Sequence, residues 1–216
     1  MDNLKEINCK EIFKNAYENR YTWKNDFHGY QGKCIFLTDN NIFKGDFVLG
    51  KDFKPEIKFI NDEKIKKNIE SQLFEVSIHR VKRDFQSIHA ENKFKLYKKS
   101  ATGIEMMVIG KNEGDKYRVQ DNCINMVFRK IHGVIIEIFV KEFFDTGSGY
   151  LSKKYSSQQL DPISKLPKSP KFEYEDNFKK ISSNGIWVLE SRTIKSYDKK
   201  NKEIINKFIF SDLSEI

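Results

Sequence analysis

Short runs of alternating apolar and polar residues, broken by clusters of turn formers, cover most of this chain and commit it to antiparallel sheet. Residues 29–38, 42–49 and 53–60 form the first three runs. Asp39-Asn40-Asn41 and Gly50-Lys51-Asp52 join them, connections long enough for a hairpin and too short for a parallel crossover. A second series begins near Lys93 with runs at 93–99, 104–110, 116–120, 123–130 and 134–144. Between them lie Ala-Thr-Gly, Asn-Glu-Gly-Asp, Asp-Asn and His-Gly. Another run follows at 150–158. Residues 161–170 hold three of the four prolines and read as a linker, and runs at 171–181, 185–197 and 203–210 finish the chain.

Two helices interrupt this pattern. Asn8-Cys-Lys-Glu11 reads as a capping box, with Ile12, Phe13, Ala16 and Tyr17 on one face and an end near Asn19. Asp62 opens the longer helix. Its stripe is Ile65, Ile69, Leu73, Val76 and Arg80, with Phe74, Ile78, Val81 and Phe85 beside it. No β-α-β alternation occurs, so a doubly wound parallel sheet is excluded. The fold class expected is α+β: one large curved antiparallel sheet, an open or incomplete β-barrel, with two helices and the longer one on the concave side. The whole chain, 1–216, is expected to be a single domain.

Eighteen Phe and nine Tyr supply a core, which excludes disordered and low-complexity classes. The net charge of +8 suggests a nucleic-acid or anionic-membrane partner until the cations are sorted. Only six are arginine (Arg20, Arg80, Arg83, Arg118, Arg129 and Arg192), and the lysines alternate with acids, as in Lys51-Asp-Phe-Lys-Pro-Glu56. Lysine is a point charge without the forked geometry of arginine. The charge is therefore expected to be a solvated surface, with no nucleic-acid partner. The first residues carry acids and no apolar segment of the kind that directs secretion. The longest apolar stretch, 134–140, is broken by Glu137 and too short to span a bilayer. Three cysteines without paired spacing suit a reducing compartment. A soluble, cytoplasmic protein without a transmembrane segment is expected.

Asp145-Thr-Gly-Ser matches the motif of aspartic proteases, which need two such aspartates; one copy is present, so it reads as a Gly-rich turn whose Asp145 stands near a sheet rim. His28, His79, His89 and His132 include no pair at metal-ligand spacing. Glu75 and His79 share a helix face, and His79 is expected to be partly buried and bonded within the fold. No phosphate-binding glycine motif occurs. No metal, cofactor or catalytic residue is assigned. Two segments gather chemistry that lysine enrichment does not explain: Tyr17-Glu-Asn-Arg-Tyr-Thr-Trp23 and His79-Arg80-Val-Lys-Arg83. They read either as a helix terminus and an aromatic corner of the core, or as the mouth of a cavity with arginines for an anionic group.

The same segment, extended to Ala16, resembles an uncharacterised family of cyanobacteria and photosynthetic eukaryotes. The resemblance runs nearly end to end, through His79-Arg80, Phe85, His89, Asp145-Thr-Gly-Ser-Gly-Tyr150 and Phe172-Glu-Tyr-Glu-Asp176. It implies a photosynthetic organism and no particular activity. The element order, with Gly185-Ile-Trp-Val-Leu-Glu-Ser-Arg-Thr-Ile194 near the end, is also similar to bacterial lipoprotein carriers. That similarity implies an unclosed barrel with a helical lid that holds acyl chains.

The function expected is non-catalytic binding or carriage of an apolar ligand, a lipid or pigment, linked to assembly of the photosynthetic apparatus. Its ligand-binding residues are expected to be Arg20, Tyr21, Trp23, His79, Arg80, Arg83 and Asp145. Two alternatives stand beside it. One is an enzyme on a small anionic substrate using His79, Arg80 and Asp145. The other is an interaction module that docks partners on a sheet edge.

Overall fold

In the computed structural model, which describes residues 7–182 and 185–216, three helices and twelve strands follow the order α1 (Cys9–Glu18), β1 (Tyr30–Leu37), β2 (Ile42–Leu49), β3 (Pro55–Lys58), α2 (Glu63–Ile78), α3 (Phe85–His89), β4 (Asn92–Ser100), β5 (Gly103–Gly110), β6 (Lys116–Gln120), β7 (Cys123–Ile131), β8 (Val134–Asp145), β9 (Tyr150–Leu160), β10 (Phe172–Lys180), β11 (Trp187–Tyr197) and β12 (Glu203–Glu215). Contacts group them into two units, Met1–Arg20 with Arg83–Lys171 and Tyr21–Lys82 with Phe172–Ile216. Strand order within the first unit is β9-β8-β7-β6-β5-β4, and within the second β3-β2-β1-β12-β11-β10. The pairings in each are antiparallel and neither unit's strands close into a barrel, so the open α+β class expected from the sequence is the class observed. Among the described residues, no helix is long and apolar enough to cross a membrane.

In the first unit α1 starts where its capping box predicts. The Glu11 N–H donates to Asn8 Oδ1 at 3.1 Å and Asn8 Nδ2 donates to Glu11 Oε2 at 3.0 Å. Its buried face, Phe13, Ala16 and Tyr17, meets Phe85 of α3 and Met106, Val108, Tyr117 and Val119 of the sheet. The ring of Phe13 lies 4.4 Å from Tyr117 and 4.8 Å from Phe94, close enough for aromatic packing to add to burial. The short helix α3 was not foreseen. Phe85 belongs to it, and the α2 stripe stops at Ile78 rather than running on to Arg80 and Phe85. Beyond that point the His79 and Arg80 N–H groups bond carbonyls three residues back, and α2 ends in a tightened turn.

In the second unit β1 pairs with β2 on one side and β12 on the other. Cys34 faces Gly45 and Phe210, and Phe36 faces Phe43 and Phe208. These positions, with Tyr30, Phe47 and Leu49, form an apolar inner face. Gly45 is required there, because a Cβ at that position would meet Lys58 O at 2.4 Å. Asp62 caps α2, its Oδ1 accepting from the Lys64 and Ile65 N–H groups at 2.9 and 3.1 Å. The longer helix then lies on the inner face, as expected, through Ile69, Leu73 and Val76, while Phe74 points out to solvent.

Candidate functional site

The most unusual chemistry lies in the second unit, where a charged pair stands on the apolar inner face. Register places Arg192 of β11 opposite Asp176 of β10 on one side and Phe208 of β12 on the other, so all three share a face. Arg192 is 2% exposed and Asp176 is equally buried. Nε and Nη2 donate to the two carboxylate oxygens at 2.8 Å each, a two-pronged geometry that offsets desolvation. The remaining nitrogen, Nη1, reaches α2, donating to Gln72 Oε1 at 3.1 Å and lying 3.5 Å from Glu75 Oε2. The guanidinium also sits 5.3 Å from the Tyr174 ring. Burial, then the charge of Glu75, pushes the Tyr174 phenol up to about 12, against Arg192. Arg192 thus joins sheet to helix across an otherwise apolar layer.

Beside this cluster the structure brings together three of the predicted residues. The Trp23 N–H donates to the Arg80 carbonyl at 2.8 Å, and its indole Nε1–H donates to the Trp187 carbonyl at 2.9 Å. Tyr21 Oη accepts from the Trp187 N–H at 2.9 Å. Segment 21–23 therefore ties the end of α2 to the start of β11. Tyr21 and Trp23 are both buried, and Trp23 stacks 5.6 Å from Phe53 and meets Phe27 at 4.8 Å with the rings tilted. The Arg80 guanidinium lies 5.6 Å from the Phe178 ring. Tyr30 is pushed well above the ordinary phenol range by burial, with the charges of Arg80 and Arg192 opposing. Both cations therefore face the same buried tyrosine. His79 is exposed at the C-cap of α2, not partly buried as expected, because the helix stops one residue before it.

The other predicted residues belong to the first unit and do not assemble a site there. Arg20 lies 3.7 Å over the Tyr17 ring, its Nε donating to the Tyr17 carbonyl at 2.8 Å. Asp145 is exposed, and its Oδ1 accepts from the Gly147 N–H at 2.8 Å in the turn between β8 and β9. The motif shared with aspartic proteases is thus a hairpin turn. Arg83 is exposed and makes no ion pair among the described residues. No hydrogen bond or ion pair joins Arg20, Arg83 and Asp145 to one another.

The first unit also holds a buried His89, ringed by Phe13, Tyr17, Phe85 and Phe94. Burial, with help from Arg129 and Arg20, lowers its pKa to about 4. Its Nδ1 lies 3.1 Å from Asn92 Nδ2, which assigns Nδ1 as acceptor. Asp115 accepts from Arg129 Nε at 3.0 Å and the Lys130 N–H at 3.1 Å. Among the described residues no group of three His, Cys, Asp or Glu is placed to hold a metal ion.

Sequence reasoning missed Arg192, Asp176, Gln72 and Tyr174. One signal was present: Arg192 and Asp176 each fall at an inward position of a strand, where an apolar residue belongs. Two shallow depressions, of about 410 and 240 Å³, lie on the opposite face of the second unit's sheet. Lys33, Ile35 and Lys44 line the larger, and Lys179, Glu190 and Lys207 line the smaller; no predicted site residue touches either.

These features define an open antiparallel α+β protein with a buried arginine–aspartate pair between sheet and helix. The chain belongs to the family described as protein of unknown function DUF3386, whose model matches residues 4–216. No curated protein matches it. Among solved structures it is similar to a DUF1329 family protein from Desulfovibrio piger ATCC 29098, at 11% identity and a TM-score of 0.31 over 96% of this chain and 93% of that one. It is also similar to a LolA superfamily protein from Nitrosomonas europaea, at 9% identity and a TM-score of 0.28 over 97% and 94% of the two chains. A third likeness is to the Pseudomonas aeruginosa MucA/MucB complex structure, at 6% identity and a TM-score of 0.27 over 94% and 93%. Superpositions this coarse carry no site from those proteins to this one.

Proposed function

We propose that the protein is a non-catalytic carrier of an apolar ligand, a lipid or pigment, which it holds against the inner face of the second unit's sheet when α2 moves aside. The observation that carries this reading is the attachment of α2 to the sheet. Besides the aliphatic stripe of Ile69, Leu73 and Val76, the helix is held by the Nη1 contacts of Arg192 to Gln72 and Glu75. Arg192 keeps both prongs on Asp176 when those contacts open, so the charge left behind stays paired. Uncovering three aliphatic side chains costs about 6 kcal/mol at roughly 2 kcal/mol each, which about eight buried methylene groups of a ligand offset. The face exposed is aromatic, with Phe36, Phe47, Phe208 and Phe210.

Tyr21, Trp23, Arg80 and His79 then stand at the end of α2, where the helix would hinge. The family resemblance read from the sequence supports a photosynthetic organism as the source, and the role we propose there is assembly of the photosynthetic apparatus. Native mass spectrometry of protein purified from its own organism tests the reading. An apolar molecule is expected to co-purify, and a fluorescent fatty acid is expected to bind the emptied protein. The reading fails if nothing co-purifies and the fatty acid does not bind.

A further inference from the structure

The β11–β12 hairpin continues past its neighbours. Its last pairs, Ser196 with Ile204 and Tyr197 with Glu203, lie beyond Leu37, where β1 ends, and beyond Lys195, the first partner that β10 contacts. Among the described residues of its own unit, no strand pairs with this tip. Its turn is satisfied from within: Asp198 Oδ1 accepts from the Lys200 and Lys202 N–H groups at 2.8 and 2.9 Å, and the Asp198 N–H donates to Lys202 O at 3.0 Å. The acid at the tip is therefore turned onto the main chain. Glu203 is matched by Lys195 at 3.9 Å. Lys199, Lys200 and Lys202 are exposed, and none makes an ion pair among the described residues.

Apolar side chains accompany these lysines. Tyr197 is 49% exposed and Ile204 is 37% exposed, and consecutive register pairs put them on opposite faces of the hairpin. Ile42, 62% exposed, opens β2 at the same end, across Leu37 from Lys207. Apolar groups on both faces of an exposed tip suit immersion in a continuous medium. Tyrosine and lysine also suit the layer where lipid headgroups meet acyl chains, the ring and stem going in and the polar ends staying wet. The absence of arginine from the tip argues against phosphate-by-phosphate recognition of a nucleic acid.

We propose that the β11–β12 tip docks the protein on an anionic lipid bilayer, with Lys199, Lys200 and Lys202 on the headgroups and Tyr197, Ile204 and Ile42 in the interfacial layer. This surface is distinct from the inner face beneath α2 and does not depend on that helix opening. The test is co-sedimentation of the intact protein with vesicles. Binding to phosphatidylcholine vesicles containing phosphatidylglycerol is expected, with little to pure phosphatidylcholine and a decline as salt rises. Lys199→Glu/Lys200→Glu/Lys202→Glu is expected to lose about 100-fold or more in affinity, since each lysine near such a surface contributes about fivefold. Tyr197→Ser/Ile204→Ser is expected to weaken binding while keeping its salt dependence. A charge-reversal control at Lys93, Lys95, Lys98 and Lys99, on exposed β4, is expected to bind as wild type does, and circular dichroism confirms that each variant is folded. Equal binding to both vesicle types, a matching loss in the β4 control, or binding to a polyanion such as heparin without binding to vesicles would overturn the proposal.

Discussion

Arg192 and Asp176 meet as a two-pronged ion pair between β10 and β11, both buried on a sheet face otherwise built from aromatic and aliphatic side chains. Removing one partner breaks the two-pronged contact and leaves the other charge buried without it. Arg192→Met or Asp176→Leu is expected to destabilise the second unit by about 3–5 kcal/mol, and the double variant to recover most of that loss. Urea unfolding of the three variants checks it, and additive losses in the double variant would contradict it.

Gln72 accepts a guanidinium hydrogen bond from Arg192 that joins the sheet to α2. Gln72→Leu deletes that acceptor, and its net stability cost is expected near 1 kcal/mol because Nη1 keeps Glu75 beside it. The larger effect is expected in dynamics. Amide exchange in α2 should quicken and fatty-acid uptake should accelerate, with exchange in β1 and β12 unchanged. Equal acceleration in all three elements would mean general loosening.

Asp62 holds two N–H groups at the start of the same helix. Asp62→Ala is expected to cost about 1 kcal/mol, and Asp62→Ser to restore most of it. Chemical denaturation read by circular dichroism measures both.

Tyr150 is a second anchor, in the first unit. Its hydroxyl accepts from the Ile124 N–H and donates to the Ala16 carbonyl, each at 3.1 Å, and both bonds are buried. Tyr150→Phe keeps the ring and orphans two main-chain groups, so a loss of about 2–3 kcal/mol is expected. A loss below about 0.5 kcal/mol would show that water reaches the site.

His89 makes the protein sensitive to mild acid. Its pKa is about 4 in the fold and near 6.5 when unfolded, so between those values the unfolded chain binds the extra proton. Stability is therefore full above about pH 6.5 and falls as pH drops toward 4, by about 2–3 kcal/mol from this residue. His89→Gln is expected to flatten the profile in that window. Urea midpoints measured from pH 7.5 to 4.5 give the comparison.

Much of the fold was legible because its signals are local. Asn8 and Asp62 cap the helices they were expected to cap, and β2 spans the residues its alternation predicts. The strand at 53–60 shrank to Pro55–Lys58, since Phe53 and Phe59 take left-handed backbone that a strand does not hold. The site was less legible. Trp23 and Arg80 were singled out and do meet, yet Arg192 was passed over because its partners lie 16 residues away in Asp176 and 120 away in Gln72. Alternation tells which way a side chain points, not which charge the register will set beside it.

The pairing of β1 with β12 also imposes an order on biosynthesis. β1–β3 emerge from the ribosome long before Glu203 does, on the order of ten seconds at ordinary elongation rates. During that interval the edge of β1 is unpaired and its aromatic face has only α2 for cover, whereas residues 83–171 already form a contiguous sheet. Chains stalled before residue 203 are accordingly expected to be cut by protease within 30–82 and spared within 92–160. The nascent protein is most vulnerable in the segment that includes α2, the helix Arg192 later ties to the sheet.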